Sequence, residues 1–119
     1  NHKEAVKIVQ AIESGKEHVI LSPLNISEAF YILTAREKLT FDLVELTLTK
    51  LIHAKGLTLV GLPAETLTAA IPLARKYRID LTDAVNIKLM EQHRIRQIYA
   101  LDPHFDSFGG IHRLTQLRM

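Results

Sequence analysis

Short strand-like runs lodged between segments of helical spacing constrain this chain most. His18-Val-Ile-Leu is an unbroken apolar run of the length that suits a strand buried on both faces, and Leu57-Thr-Leu-Val-Gly-Leu62 reads the same way. A third strand is expected over Ile95–Leu101. Between them, residues 3–14 place apolar side chains at 5, 8, 9 and 12, which is helical spacing, and Gly15 supplies a stop. Ser22-Pro23 offers a hydroxyl at an N-cap and proline at the first helical position, opening a helix to about Lys38. Thr40-Phe-Asp opens another, ending near Lys55-Gly56. Pro63-Ala-Glu opens a helix through Arg75 that Pro72 is expected to kink or break. A helix follows from about Leu81 to His93, and the tail from Phe105 suggests a turn and a last short strand. Helices alternating with buried strands make an α/β domain with a mainly parallel sheet covered on both faces.

At 119 residues the chain is expected to form a single domain over 1–119. No apolar run approaches the roughly 20 residues of a membrane-spanning helix. With no cysteine, disulfides and thiolate metal sites are excluded, and a reducing cytoplasm is the expected location. The net charge of +2 is unevenly placed. Residues 1–74 hold seven Lys/Arg against eight Asp/Glu, and residues 75–119 hold eight against five. Arginines dominate the second group, among them Arg75, Arg78, Arg94, Arg96, Arg113 and Arg118, and the guanidinium fork suits phosphate. The alternative is a solvated basic face.

Four acids stand out against this frame. Glu28 has Leu24, Asn25, Tyr31 and Ile32 as helical neighbours, so no intrahelical cation explains it. Asp83 falls in the first turn of its helix, where an acid also favours the dipole; Asp80 can cap, which leaves Asp83 as the site residue, with Asn86 one turn on. Asp102 ends the third strand before Pro103, a sequence equally suited to a turn, and Asp106 is either an outer ligand or a surface residue. In parallel sheets, functional residues gather beyond the carboxyl ends of the strands, and Glu28, Asp83 and Asp102 all fall on that edge. Carboxylates crowd together when a hard divalent cation holds them, which points to metal-assisted chemistry on phosphate. Three independent capping residues satisfy the same pattern. The histidines show no zinc-ligand spacing, and His104 beside Asp102 reads as a surface residue. No glycine-rich phosphate loop and no nucleophile elbow is present.

Ser22-Pro-Leu-Asn-Ile-Ser-Glu28, Asp83-Ala and Asp102-Pro-His-Phe-Asp106 together resemble the conserved blocks of PIN-domain ribonucleases, above all the VapC-type toxins of toxin–antitoxin pairs. The resemblance spans essentially the whole chain. It implies a three-layer α/β/α domain around a parallel sheet, whose acidic pocket binds Mg²⁺ or Mn²⁺ and cuts single-stranded RNA to leave a 5′-phosphate and a 3′-hydroxyl. Carried over by motif, the catalytic and metal-binding acids are Glu28, Asp83 and Asp102, with Asp106 at a position acidic in some members. Arg75, Arg78, Arg94 and Arg96 are the expected RNA contacts. The resemblance also implies a cognate antitoxin and a homodimer, with the helices at 23–38 and 40–55 as candidate surfaces. Two features depart from the family pattern: Ala100 stands where Thr or Ser is frequent, and nothing matches the family's first strand with its Asp-Thr-Asn ending. The expectation is therefore that roughly 15–20 residues precede Asn1, enough for a strand and turn. A chain beginning at Asn1 is expected to be inactive. The rival readings are a non-catalytic PIN-like domain that binds RNA or protein, and a receiver-type phosphoryl-transfer domain using Asp102, which lacks its expected lysine.

Overall fold

A computed structural model describes residues 2–100 and 103–117, which form two compact units. Helix α1 (His2–Ser14) contributes to both: one unit comprises Asn1–Ile8 and Glu65–Met119, the other Val9–Ala64.

In the Val9–Ala64 unit, α1 ends where Gly15 takes φ +82°, a conformation that costs glycine little, and the Gly15 amide donates to the Ile12 carbonyl at 3.1 Å. Strand β1 (Val19–Leu21) leads into α2 (Pro23–Tyr31), a π-helical turn at Ile32–Arg36, α3 (Phe41–Ile52) and β2 (Leu57–Leu59). Both sequence-marked helix starts are present. Asn25 Oδ1 accepts from the Ser22 amide at 2.8 Å, and Thr40 Oγ1 accepts from the Leu43 amide at 3.3 Å. The Ser22 hydroxyl itself is buried and has no hydrogen-bond partner among the described residues. Strands β1 and β2 pair in parallel with Val19 opposite Leu57 and Leu21 opposite Leu59. Ala11, Ile12, Val44 and Leu48 are the buried apolar residues of this unit. Glu17 is buried with them, and its Oε1 accepts from the His18 amide at 2.9 Å, which offsets part of the cost of taking a carboxylate out of water.

The second unit is organised around α5 (Leu81–Gln92), in which Ala84, Val85, Ile87, Leu89 and Met90 are all buried. That set covers more than one stripe of the helix, as expected for an element enclosed by its neighbours. Helix α4 (Ala64–Tyr77) precedes it and runs unbroken through Pro72, against the break considered from the sequence. Pro72 is exposed, so its missing amide falls on the solvated side, while Thr66 and Ala70 fix the helix from its buried side. Gln92 Nε2 donates to Thr66 Oγ1 at 3.1 Å, tying the end of α5 to the start of α4, so the two helices run antiparallel. Strands β3 (Gln97–Tyr99) and β4 (His112–Leu114) pair in parallel, Gln97 opposite His112, with a 3₁₀ turn at Pro103–Ser107 between them. Both strand pairs are parallel and alternate with helices, so the α/β class read from the sequence holds. The strands at 57–59 and 97–99 are shorter than the runs that suggested them.

Candidate active site

Helix α5 starts at Leu81 and ends at Gln92, five residues before β3 begins at Gln97. Asp83 is half-buried in the first turn of α5. Asp80 occupies the N-cap position in extended conformation, but its side chain makes no capping hydrogen bond; its backbone carbonyl accepts from the Ala84 amide at 3.0 Å. Asp80 therefore does not do the side-chain capping that the sequence suggested for it.

Asp106 is brought near the carboxyl end of β3 by Arg113. The Arg113 guanidinium donates through Nε to Asp106 Oδ1 at 3.1 Å and through Nη2 to Oδ2 at 3.2 Å, while Nη1 reaches the Ala100 carbonyl, just past β3, at 3.5 Å. Both carboxylate oxygens are engaged by one planar fork. The Arg113 hydrogen bonds hold the Asp106 carboxyl below its usual value. Asp102 lies outside the described residues, as does the side chain of His104. Glu28 is exposed on α2, in the Val9–Ala64 unit.

The four arginines expected to contact RNA divide into two pairs at opposite ends of α5. Arg75 lies in the last turn of α4 and Arg78 just beyond it, three residues before α5 begins, at the Asp83 end. Arg94 and Arg96 follow the other end of α5 and precede β3. All four are exposed, and among the described residues none is paired with a carboxylate. Arg78 and Arg94 each adopt a left-handed backbone, φ +53° and +55°, at the residue that ends a helix. At Arg94 the pattern is a Schellman closure: the Ile95 amide donates to the Met90 carbonyl at 2.8 Å and the Arg94 amide to that of Glu91 at 3.3 Å.

The PIN-domain family model matches residues 1–111. The chain belongs to the PIN-domain family. The fold agrees: the crystal structure of VapC20 from Mycobacterium tuberculosis, a sarcin-ricin loop cleaving toxin, superposes with a TM-score of 0.72. At 17% sequence identity, the match covers 91% of this chain and 81% of that one. No curated protein matches this PIN domain significantly in sequence.

A metal site in this PIN domain needs several oxygen ligands converging on one point. Among the described residues, no three His, Asp or Glu side chains form such a group. Asp106 gives one lone pair of each oxygen to Arg113, so a cation bound there would share the carboxylate with a guanidinium. The described donors thus do not make up a divalent-cation site by themselves. Arg113 is the residue whose role the sequence concealed. It was visible only as one more basic residue, because a partnership seven residues apart across a 3₁₀ turn and a strand has no periodic signature.

Proposed function

We propose that this protein is an endoribonuclease that hydrolyses RNA phosphodiester bonds, acting in the cytoplasm as the toxin of a toxin–antitoxin pair, with residues 1–119 working as one domain. The family match over residues 1–111 is the observation that carries this reading. The likeness in fold to a toxin that cleaves the sarcin-ricin loop supports it, as do the exposed Arg75 and Arg78, which precede the helix that carries Asp83. The reading brings with it a requirement for Mg²⁺ or Mn²⁺, with Glu28, Asp83, Asp102 and Asp106 as ligands. Arg75 and Arg78 bind the substrate's phosphates at the Asp83 end and neutralise their charge, a task suited to exposed guanidinium groups without a carboxylate partner among the described residues. The cognate antitoxin and a second copy of the chain are the protein partners. Helices α2 and α3 offer surface for them, since Phe41 is 69% and Leu46 65% exposed and Phe30 packs its ring 6.0 Å from that of Phe41. Among the described residues no helix is long and apolar enough to cross a membrane.

The test pairs cutting with binding. Asp83→Asn and Glu28→Gln should each lower RNA cleavage by roughly 100-fold or more while leaving RNA retention intact. Cleavage by Asp83→Asn at the wild-type rate would remove Asp83 from the site. A wild-type protein that retains RNA without cutting it, equally well with either substitution, would establish the non-catalytic binding reading instead.

A further inference from the structure

Between the second half of α5 and the segment leading into β4 lies a cleft of about 440 Å³, lined by Ile87, Met90, Arg94, Arg96, Phe108 and Ile111 among others. Its floor is apolar and its rim is basic. Glu91, the acid of the lining, is bridged by Lys88 Nζ at 3.5 Å, which leaves the charges of Arg94 and Arg96 uncompensated. The rim facing them is Gly109-Gly110; a side-chain carbon added at either glycine meets nothing within 4 Å, so the wall on that side is low and open. Phe108 packs against Tyr77 of α4 with the rings tilted by 49° and their centroids 4.4 Å apart, and Arg78 follows Tyr77 in the chain. An apolar floor with an aromatic edge and two uncompensated guanidinium groups is the combination that binds single-stranded nucleic acid: bases on the apolar surface, phosphates on the cations.

We infer that this cleft is a second RNA-binding site, which holds a stretch of single strand away from the cut, with its phosphates on Arg94 and Arg96 and a base against Phe108 and Ile111. The inference rests on the nuclease reading for the identity of its ligand. Arg94 lies just past the end of α5, and the nine-residue step from Asp83 to Gln92 within that helix already spans about 14 Å at the rise of a helix, which separates the Arg94 end from Asp83. The strand enters past the Tyr77–Phe108 pair beside Arg78 and follows α5 to its end. The site sets substrate length and affinity and has no part in the bond-breaking step.

The experiment measures binding of labelled single-stranded oligoribonucleotides of about 4 and about 12 nucleotides to the full chain in EDTA, so that no cutting is required. The double variant Arg94→Gln/Arg96→Gln should weaken the longer oligonucleotide roughly tenfold or more and reduce its salt slope by about 1.4, while the shorter one binds as before. Arg94→Lys/Arg96→Lys should restore most of the slope, and unchanged melting temperatures in both variants separate lost contacts from lost fold. Unchanged affinity for the longer oligonucleotide, or equal loss for both lengths, would overturn the inference. So would a polyglutamate peptide that competes as well as RNA and loses affinity in the same variant, which would make an acidic protein segment the occupant. If the wild type cuts RNA while the double variant binds it normally, the second site fails and the nuclease reading stands. If the length-dependent loss appears in a protein that never cuts, the second site stands and the nuclease reading fails.

Discussion

Replacing Gly56 with alanine places a methyl carbon 2.0 Å from the Glu17 carbonyl oxygen and 2.7 Å from that of Ile12. Both are backbone atoms, so no rotamer change relieves the overlap. The same approach brings the Gly56 amide to the Ile12 carbonyl at 2.8 Å and the Val19 amide to the Gly56 carbonyl at 2.8 Å, joining the end of α1 to the start of the β1–β2 pair. Opening the contact enough for a methyl group sacrifices both hydrogen bonds, about 1 kcal/mol each, on top of an overpacking cost of about 1–3 kcal/mol. The lower entropy of an unfolded alanine returns about 0.4–1 kcal/mol. The net loss is about 3 kcal/mol, a large share of the roughly 5–15 kcal/mol that holds a domain folded. In urea, followed by far-ultraviolet circular dichroism, the midpoint should fall by roughly 1.5 M at a slope of about 2 kcal/mol/M. Gly61→Ala is the control, because nothing lies within 4 Å of the added carbon; it should be neutral or slightly stabilising. A loss below about 1 kcal/mol in Gly56→Ala at unchanged slope would show that the close approach is not what demands glycine.

Arg94→Gly relieves a left-handed non-glycine residue and should stabilise the protein by about 0.5–1 kcal/mol while weakening binding of long RNA; a destabilised variant would mean the side chain supports the fold. Asp106 has its folded carboxyl value held below its ordinary 3.8 by Arg113, so the contribution of this pair is present above the unfolded value and is lost as pH falls through the lowered folded one. Arg113→Gln should return the Asp106 titration toward 3.8, read by carbon-detected NMR; an unmoved midpoint would contradict the assignment of its cause. Leu46→Glu, at an exposed site on α3, should cost the fold within about 0.5 kcal/mol yet turn a dimer into a monomer on gel filtration. A wild type that already runs as a monomer at micromolar concentration would contradict the proposed dimer.

The α/β class was legible because its signals are local. Ser22-Pro23 and Thr40 mark helix starts through their own backbone bonds, and the run at 18–21 is apolar enough to show as a strand. Pro72 misled in part, since its cost depends on which side of α4 meets water, and that is a tertiary fact. The position of Asp83 in the first turn of α5 followed from its distance to Leu81 in the chain, but the role of Asp80 did not, because an extended N-cap residue can hold the position without offering its oxygen. The arginines formed one basic group in the sequence, and only the direction of α5 parts Arg75 and Arg78 from Arg94 and Arg96. Arg113 looked like any other member of that group until the turn at Pro103–Ser107 brought Asp106 to it.

The most direct test of the proposed function is cleavage of a single-stranded RNA by the purified protein in Mg²⁺ and again in excess EDTA, with the ends of the products identified. Fragments bearing 5′-phosphate and 3′-hydroxyl groups in Mg²⁺, and intact RNA in EDTA, are the expected outcome. Cleavage that continues undiminished in EDTA, or that leaves 2′,3′-cyclic phosphates, would mean the carboxylates at Glu28, Asp83 and Asp102 do not cut RNA through a divalent cation.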